Sequence, residues 1–291
     1  MYEIYFKKVE DVLDTFPVDC RTNYYENKKS VKIEIQAELF KNLYATYDHE
    51  KNEIELYRET GLPHELFHMA FRDKEKVEKR IFEDSDIIYG NGISYSRVQN
   101  GKKNTAGKAI TEGFAEYLSR KCSEEKGNLL EFFFTDLLIS IYGEEIICYA
   151  LKNNSFEFFT DERFNDIMLF SRTLDYLYDI SDSIKTISRF SDTFKQAFNS
   201  NDEEEKRKLS QYIFEIKQGF KNCVVKLFEI IVNEYNSCNK PKISKDDFIL
   251  KLEEFSKNTD YQHFYILDDS IVNMTKEINE IIKRFSKGRS K

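Results

Sequence analysis

The stretch Leu62-Pro63-His64-Glu65-Leu66-Phe67-His68-Met69-Ala70-Phe71 carries two of the chain's four histidines, four residues apart, with a glutamate directly after the first. On an α-helix, positions i and i+4 lie on one face, so His64 and His68 aim their imidazoles at a common point. Glu65 is rotated from them by about a third of a turn, close enough to act on a metal-activated water without being a ligand. This is the H-E-x-x-H pattern, in which two histidines hold zinc and the glutamate serves as general base. The competing reading is two packing histidines beside a surface glutamate. The setting favours the metal: the motif follows a strand, lies on an amphipathic helix and precedes a second acidic helix.

Apolar residues Leu62, Leu66, Met69, Ala70, Val77 and Ile81 recur at helical intervals, which predicts a helix from about Gly61 to Phe82. Thr60 is the expected N-cap, and Pro63 falls in the first turn, where its missing N–H has no intrahelical partner to lose. Upstream, "SVKIEIQAEL" reads as a strand, and "YATYDHEKNEIELYRE" as two strand runs around a polar turn, hence a hairpin. Downstream, "DIIYGNGISYSRVQNGKKN" reads as a strand with turns at both ends, and "TAGKAITEGFAEYLSRKC" as a helix.

A catalytic zinc site has three protein ligands and an open position. The extended form H-E-x-x-H-x-x-G-x-x-H is excluded, because Phe71 stands at its glycine and Lys74 at its third histidine. His49, in the hairpin turn, and His263, near the C-terminus, read as surface or packing residues. The better third ligand is Glu112 in "AITEGFAEYLSRK", which shares a helix face with Glu116, while Ile110, Phe114, Tyr117 and Leu118 form the apolar side. Gly113, mid-helix, predicts close approach to a neighbouring helix, for which the motif helix is the candidate.

"HELFH" followed by "TEGFAEYL" resembles the gluzincin metallopeptidases, the group of thermolysin and the aminopeptidase N type. There an "N-E-G-F-A" or "N-E-A" helix supplies the glutamate ligand. The resemblance covers roughly residues 50–120 and implies a set of His64, His68 and Glu112 on Zn2+, with Glu65 catalytic. It also implies that Glu116 hydrogen-bonds a zinc histidine, which would fix that ring's tautomer and raise its basicity. Two departures stand out: Thr111 replaces the usual Asn, and 44 positions separate His68 from Glu112, so an inserted hairpin or loop must absorb the excess. The chain is similar as well to zincin-like proteins of bacteria and their mobile elements, which share the two motifs and a helical tail with a "YGEE"-like turn.

The rest of the chain sets bounds. With 291 residues and 41% apolar side chains it closes at least one sizeable core. A net charge of −8 argues against nucleic acid as the main partner. The start, "MYEIYFKKVEDVLD", lacks an apolar signal region, and "LLEFFFTDLLISIY" is too short and too polar to span a bilayer, so a cytoplasmic protein without a membrane segment is expected. Five cysteines form no C-x-x-C pair and read as reduced thiols.

The expected fold is α+β. A zincin-like part over 1–150, with a small mixed sheet, the H-E-x-x-H helix and the Glu112 helix, precedes a mostly α-helical part over 151–291. "NSNDEEEKRK" and "NSCNKPKIS" are candidate linkers. The expected function is a zinc-dependent peptidase acting on a peptide or protein substrate. "GNGISYSRV", Gly90 to Val98, is a candidate edge strand for that substrate, and Tyr142, Tyr149, Tyr176 and Tyr178 are candidate oxyanion donors. The alternative is a regulatory or adaptor protein with a vestigial or structural zinc site and a helical partner-binding half. Retention of Glu65 counts against it, since a structural site has no use for a general base.

Overall fold

A computed structural model describes residues 2–36, 44–76, 87–89, 91–99, 102–123, 129–189, 202–257 and 274–288. The chain is α+β and divides into two compact units, Met1–Ser171 and Arg172–Lys291. The composition shift near residue 150 therefore lies inside the first unit.

The first unit opens with α1 (Glu3–Leu13) and α2 (Thr22–Lys28), followed by strands β1 (Lys32–Ile35), β2 (Ala45–Asp48) and β3 (Glu53–Leu56). These strands form a sheet of order β1-β3-β2, with β1 parallel to β3 and β2 antiparallel to it. The expected hairpin is the β2–β3 pair, in register from Ala45↔Leu56 to Asp48↔Glu53. Its turn is set locally: Asp48 Oδ1 accepts the N–H groups of Glu50 and Lys51, and Asn52 takes a left-handed φ of 58°. The two-residue period decides the faces, so Ile54 and Leu56 are buried while Glu53 and Glu55 are half-buried.

Next comes α3 (Leu62–Ala70), then β4 (Ile87–Tyr89), β5 (Tyr95–Gln99) and β6 (Lys102–Ala106), then α4 (Lys108–Ser119). Where the sequence suggested one strand between the two motif helices there are three, forming an antiparallel β4-β5-β6 meander. Two Asn-Gly dipeptides, Asn91-Gly92 and Asn100-Gly101, divide that segment, each a strong hairpin signal. The Thr105-Ala106 start of the expected helix belongs to β6. Gly107 joins β6 to α4 at φ 88°, where a Cβ would lie 2.6 Å from the Ile93 carbonyl oxygen, so only glycine fits.

The apolar segment reads correctly as a buried helix, α5 (Leu129–Tyr142), with Phe133, Phe134, Leu137, Leu138 and Ile141 in the core. It is this helix, and not α3, that explains Gly113: a Cβ there would sit 2.6 Å from Thr135 Cβ. Short helices α6 (Ile147–Leu151) and α7 (Ser155–Thr160) lead to α8 (Ile167–Arg189).

In the second unit α8 continues, followed by α9 (Glu203–Ser237), α10 (Lys245–Lys257) and α11 (Thr275–Lys287). The acidic-basic run expected as a linker becomes, from Asp202 onward, the capped start of α9: Asp202 Oδ1 accepts the N–H groups of Glu204 and Glu205. "NSCNKPKIS" does contain the turn between α9 and α10, where the Tyr235 hydroxyl donates to the Ile243 carbonyl. Aromatic rings hold this unit together: Tyr235 stacks on Phe248 at 4.6 Å, and Phe285 meets both edge-on. Among the described residues no helix is long and apolar enough to cross a membrane.

Candidate metal centre

α3 is buried on nearly every side, and His64 is its one half-buried residue. It is entered through the 3-10 turn Glu59–Gly61, so Gly61 takes the N-cap position and no side chain caps the helix. Thr60 is not the cap; its hydroxyl is buried without a hydrogen-bond partner. Pro63 falls in the first turn as expected.

The helix ends at Ala70 rather than running on to Phe82, because its last carbonyls are claimed from other elements. Asn91 Nδ2 donates to His68 O at 2.7 Å, Asn27 Nδ2 to Met69 O at 3.0 Å and to Arg72 O at 2.8 Å, and Gly92 N to Phe71 O at 3.2 Å. Val77 and Ile81, the later members of the expected pattern, lie outside the described residues.

α4 turns Glu112 and Glu116 toward α3. His64 Nε2 and His68 Nε2 are 3.0 Å apart, and Glu112 Oε2 lies 3.4 Å from the first and 3.2 Å from the second. Donors around a tetrahedral ion held at ~2.0–2.1 Å are separated by about 3.3 Å, so these three atoms outline one face of such a polyhedron. The donor set therefore fits zinc, and among the described residues it is the one His/Cys/Asp/Glu group of this kind.

On the far side of the same imidazole, His64 Nδ1 faces Glu116 Oε2 at 3.5 Å. Glu116 is buried, and its other oxygen accepts from Arg120 Nε at 2.7 Å. The Arg120 guanidinium lies 3.4 Å from the centroid of the Phe132 ring on α5. A line of contacts thus runs from the cluster through Glu116 and Arg120 into the packing of α5.

The charges in this pocket are mutually dependent. Burial disfavours the imidazolium of His64, but hydrogen bonds to Glu112 and Glu116, with the charge of Glu65, outweigh it and raise the pKa to about 10. Burial would likewise raise Glu112; the charge of His68 and hydrogen bonds from both histidines instead hold its carboxyl well below the usual range. Glu65 goes the other way: burial dominates, the charge of Glu112 adds to it, and its pKa is raised despite the two histidines. The two carboxyl groups are therefore shifted in opposite directions, Glu112 down and Glu65 up.

The backbone of Tyr47 on β2 also acts on Glu65, lowering its pKa against the effect of burial. Among the described residues β2 is an edge strand, and it packs against α3. The edge expected in Gly90–Val98 is not available: β5 is the central strand, paired with β4 through Tyr95 to Arg97 and with β6 along its length.

A buried polar network fixes β2 to α3. Arg72, just beyond the helix, donates through Nε to His49 O at 2.6 Å and through Nη1 to Asn27 Oδ1 at 2.7 Å. Asn52 Nδ2 reaches Asn27 O at 2.9 Å, and the Tyr47 hydroxyl donates to Asn52 Oδ1 at 2.9 Å. Asn27, Asn52 and Arg72 act through partners more than twenty positions away, so local spacing gave no sign of them. Arg120 was more accessible, since it stands at i+4 from Glu116.

Among the remaining candidates, His49 contributes its carbonyl to Arg72, and His263 lies outside the described residues. Tyr142 donates to the Arg163 carbonyl and Tyr149 to Asp161, so both hydroxyls are engaged at that turn. Tyr176 and Tyr178 belong to the second unit. Thr111, at the position of the expected Asn, returns its hydroxyl to the Gly107 carbonyl at 2.8 Å. The 44-residue separation is occupied in part by the β4-β5-β6 meander. Comparison of the chain with protein-family models, with curated proteins and with solved structures found no match.

Proposed function

We propose that the chain is a zinc-dependent peptidase of the gluzincin arrangement, with a zincin-like first unit in which His64, His68 and Glu112 hold the ion. The observation that carries this reading is the convergence of three donor atoms from two helices at tetrahedral spacing. When bound, zinc supplies a Lewis acid that polarises a carbonyl and lowers the pKa of water toward neutrality.

The residues of the chain supply the rest. Glu65, buried and raised in pKa, takes the proton of the attacking water and passes it to the leaving amine. Glu116 holds His64 by its second ring nitrogen, which keeps Nε2 turned toward the other donors. The edge of β2, which packs against α3, is the candidate seat for an extended peptide, and this supports a peptide or unfolded protein segment as the substrate.

The test is metal analysis of the purified chain beside two variants. Stoichiometric zinc is expected in the wild type, its loss in His64→Ala, and its retention in Glu65→Gln with hydrolysis of a peptide library reduced at least about 10²-fold. Absence of stoichiometric metal in the wild type would overturn the reading. Metal retention with no hydrolysis by the wild type would support the regulatory alternative instead.

A further inference from the structure

Outside the His–His–Glu cluster, reactive side chains meet at one more place in the first unit. The turn Val18–Cys20 and the start of α2 lie against α6, joined by contacts between residues remote in sequence. Asp19 and Lys152 form an ion pair at 2.5 Å, and Asn23 Nδ2 donates to Leu151 O, 128 residues away, at 3.0 Å. These contacts bring Cys20, next to Asp19, beside Cys148, one helical turn before Lys152, and the Cys148 side chain raises the pKa of Cys20. Cys20 is wholly buried and Cys148 partly exposed. The Lys152 ammonium, four residues after Cys148, lies near both sulfurs.

The two thiols are therefore unequal. Burial, with the adjacent Cys148, pushes Cys20 up to about 12, which leaves it a poor first nucleophile. Cys148 has the solvent access that Cys20 lacks. The other cysteines lack this arrangement: Cys122 donates to the Lys8 carbonyl at 3.5 Å, and Cys223 and Cys238 belong to the second unit.

We propose that Cys20 and Cys148 are a dithiol pair that hydrogen peroxide converts to a disulfide, with Cys148 the sulfur attacked first by oxidant and Cys20 the resolving thiol. The Cys148 thiolate attacks one peroxide oxygen, the O–O bond breaks, and hydroxide leaves as water with the thiol's proton, giving a sulfenic acid. The Cys20 sulfur then attacks the Cys148 sulfur; the S–O bond breaks and a second water departs with the proton of Cys20. Two thiols lose two electrons, and one peroxide becomes two waters. The new bond closes a loop containing His64, His68 and Glu112, so it restrains the unfolded chain around the cluster without adding a group to it.

The test uses the full chain, reduced, desalted, treated with hydrogen peroxide, alkylated and mapped by peptide mass. The expected product is a Cys20–Cys148 linked peptide pair, lighter than the sum by two hydrogens and reversed by dithiothreitol, with Cys122, Cys223 and Cys238 still alkylated. The thermal midpoint of the oxidised chain should rise by roughly 5–10 °C. In Cys20→Ser, Cys148 should be trapped by dimedone as the sulfenic acid; Cys148→Ser, at the less buried site, should leave Cys20 fully alkylated after the same treatment. Full alkylation of both thiols in oxidant-treated wild type, or Cys148 driven to the sulfinic acid beside a free Cys20, would overturn the proposal. No readout depends on metal or hydrolysis, so the peptidase reading stands or falls separately.

Discussion

α4 and α9 each carry a glycine in a helix interior, and the two glycines do different work. Gly113 lets α4 close on Thr135 of α5 and so sets the helix that presents Glu112 and Glu116. Gly219 of α9 has more room: the nearest atom to a Cβ there would be the terminal Cδ1 of Ile180, at 3.3 Å. The same contrast runs through their surroundings. Every buried polar or charged residue described, other than Asp175 and Glu234, belongs to the first unit. The second unit is filled by rings and aliphatic chains. Burying polar groups costs stability unless they are paired, so the first unit depends on polar pairing where the second depends on apolar packing.

The sharpest break of that comparison is the same substitution in both helices. Gly113→Ala should destabilise the first unit by about 3 kcal/mol, because the added methyl meets a fully buried side chain with nowhere to move. Gly219→Ala should stabilise by about 0.5 kcal/mol through helix propensity, the end of Ile180 yielding a few tenths of an ångström. Urea unfolding of the two variants checks both signs, and a similar loss in each would remove the distinction.

A second pair compares ion pairs. Arg120→Gln removes one charged partner of buried Glu116 and should cost about 2 kcal/mol, with roughly tenfold weaker metal retention against a chelator. Lys221→Gln, removing the more exposed contact to Glu277, should change stability by less than about 0.5 kcal/mol. Equal effects would mean that Glu116 is solvated in practice and does not orient His64.

The smallest effect lies at the Asp161 turn. The hydrogen bond from Arg163 lowers Asp161 from its ordinary 3.8 to about 2. A depressed carboxyl stabilises the fold above 3.8, and the contribution disappears as pH falls through about 2. Asp161→Asn should therefore cost about 1 kcal/mol at neutral pH, discounted for the exposure of Arg163, and nothing at the acid end. Denaturation midpoints across that range would reveal any difference that fails to close.

The features legible in the sequence were those written at fixed local spacing. His64 and His68, then Glu112 and Glu116, sit at i and i+4, and the hairpin and long helices announce themselves by period. Closure of the cluster, the stop of α3 at Ala70, the partners of Arg72 and the identity of the edge strand depend on residues twenty or more positions away. Gly113 shows the limit well: one glycine foretold a close helix contact but could not say which helix. Three strands between the motifs read as one because each is short, although the two Asn-Gly dipeptides that divide them are turn signals present in the sequence.

The Arg72 network ties the β2–β3 turn, the foot of α2 and the end of α3 into a single knot. A knot of that kind makes the strand and the helix beside it one stiff wall. If the chain acts on peptides as proposed, room for a bulky one would have to come from the opposite side, carried by α4, and changes in preference would arise more cheaply from the side chains along β2 than from tilting it.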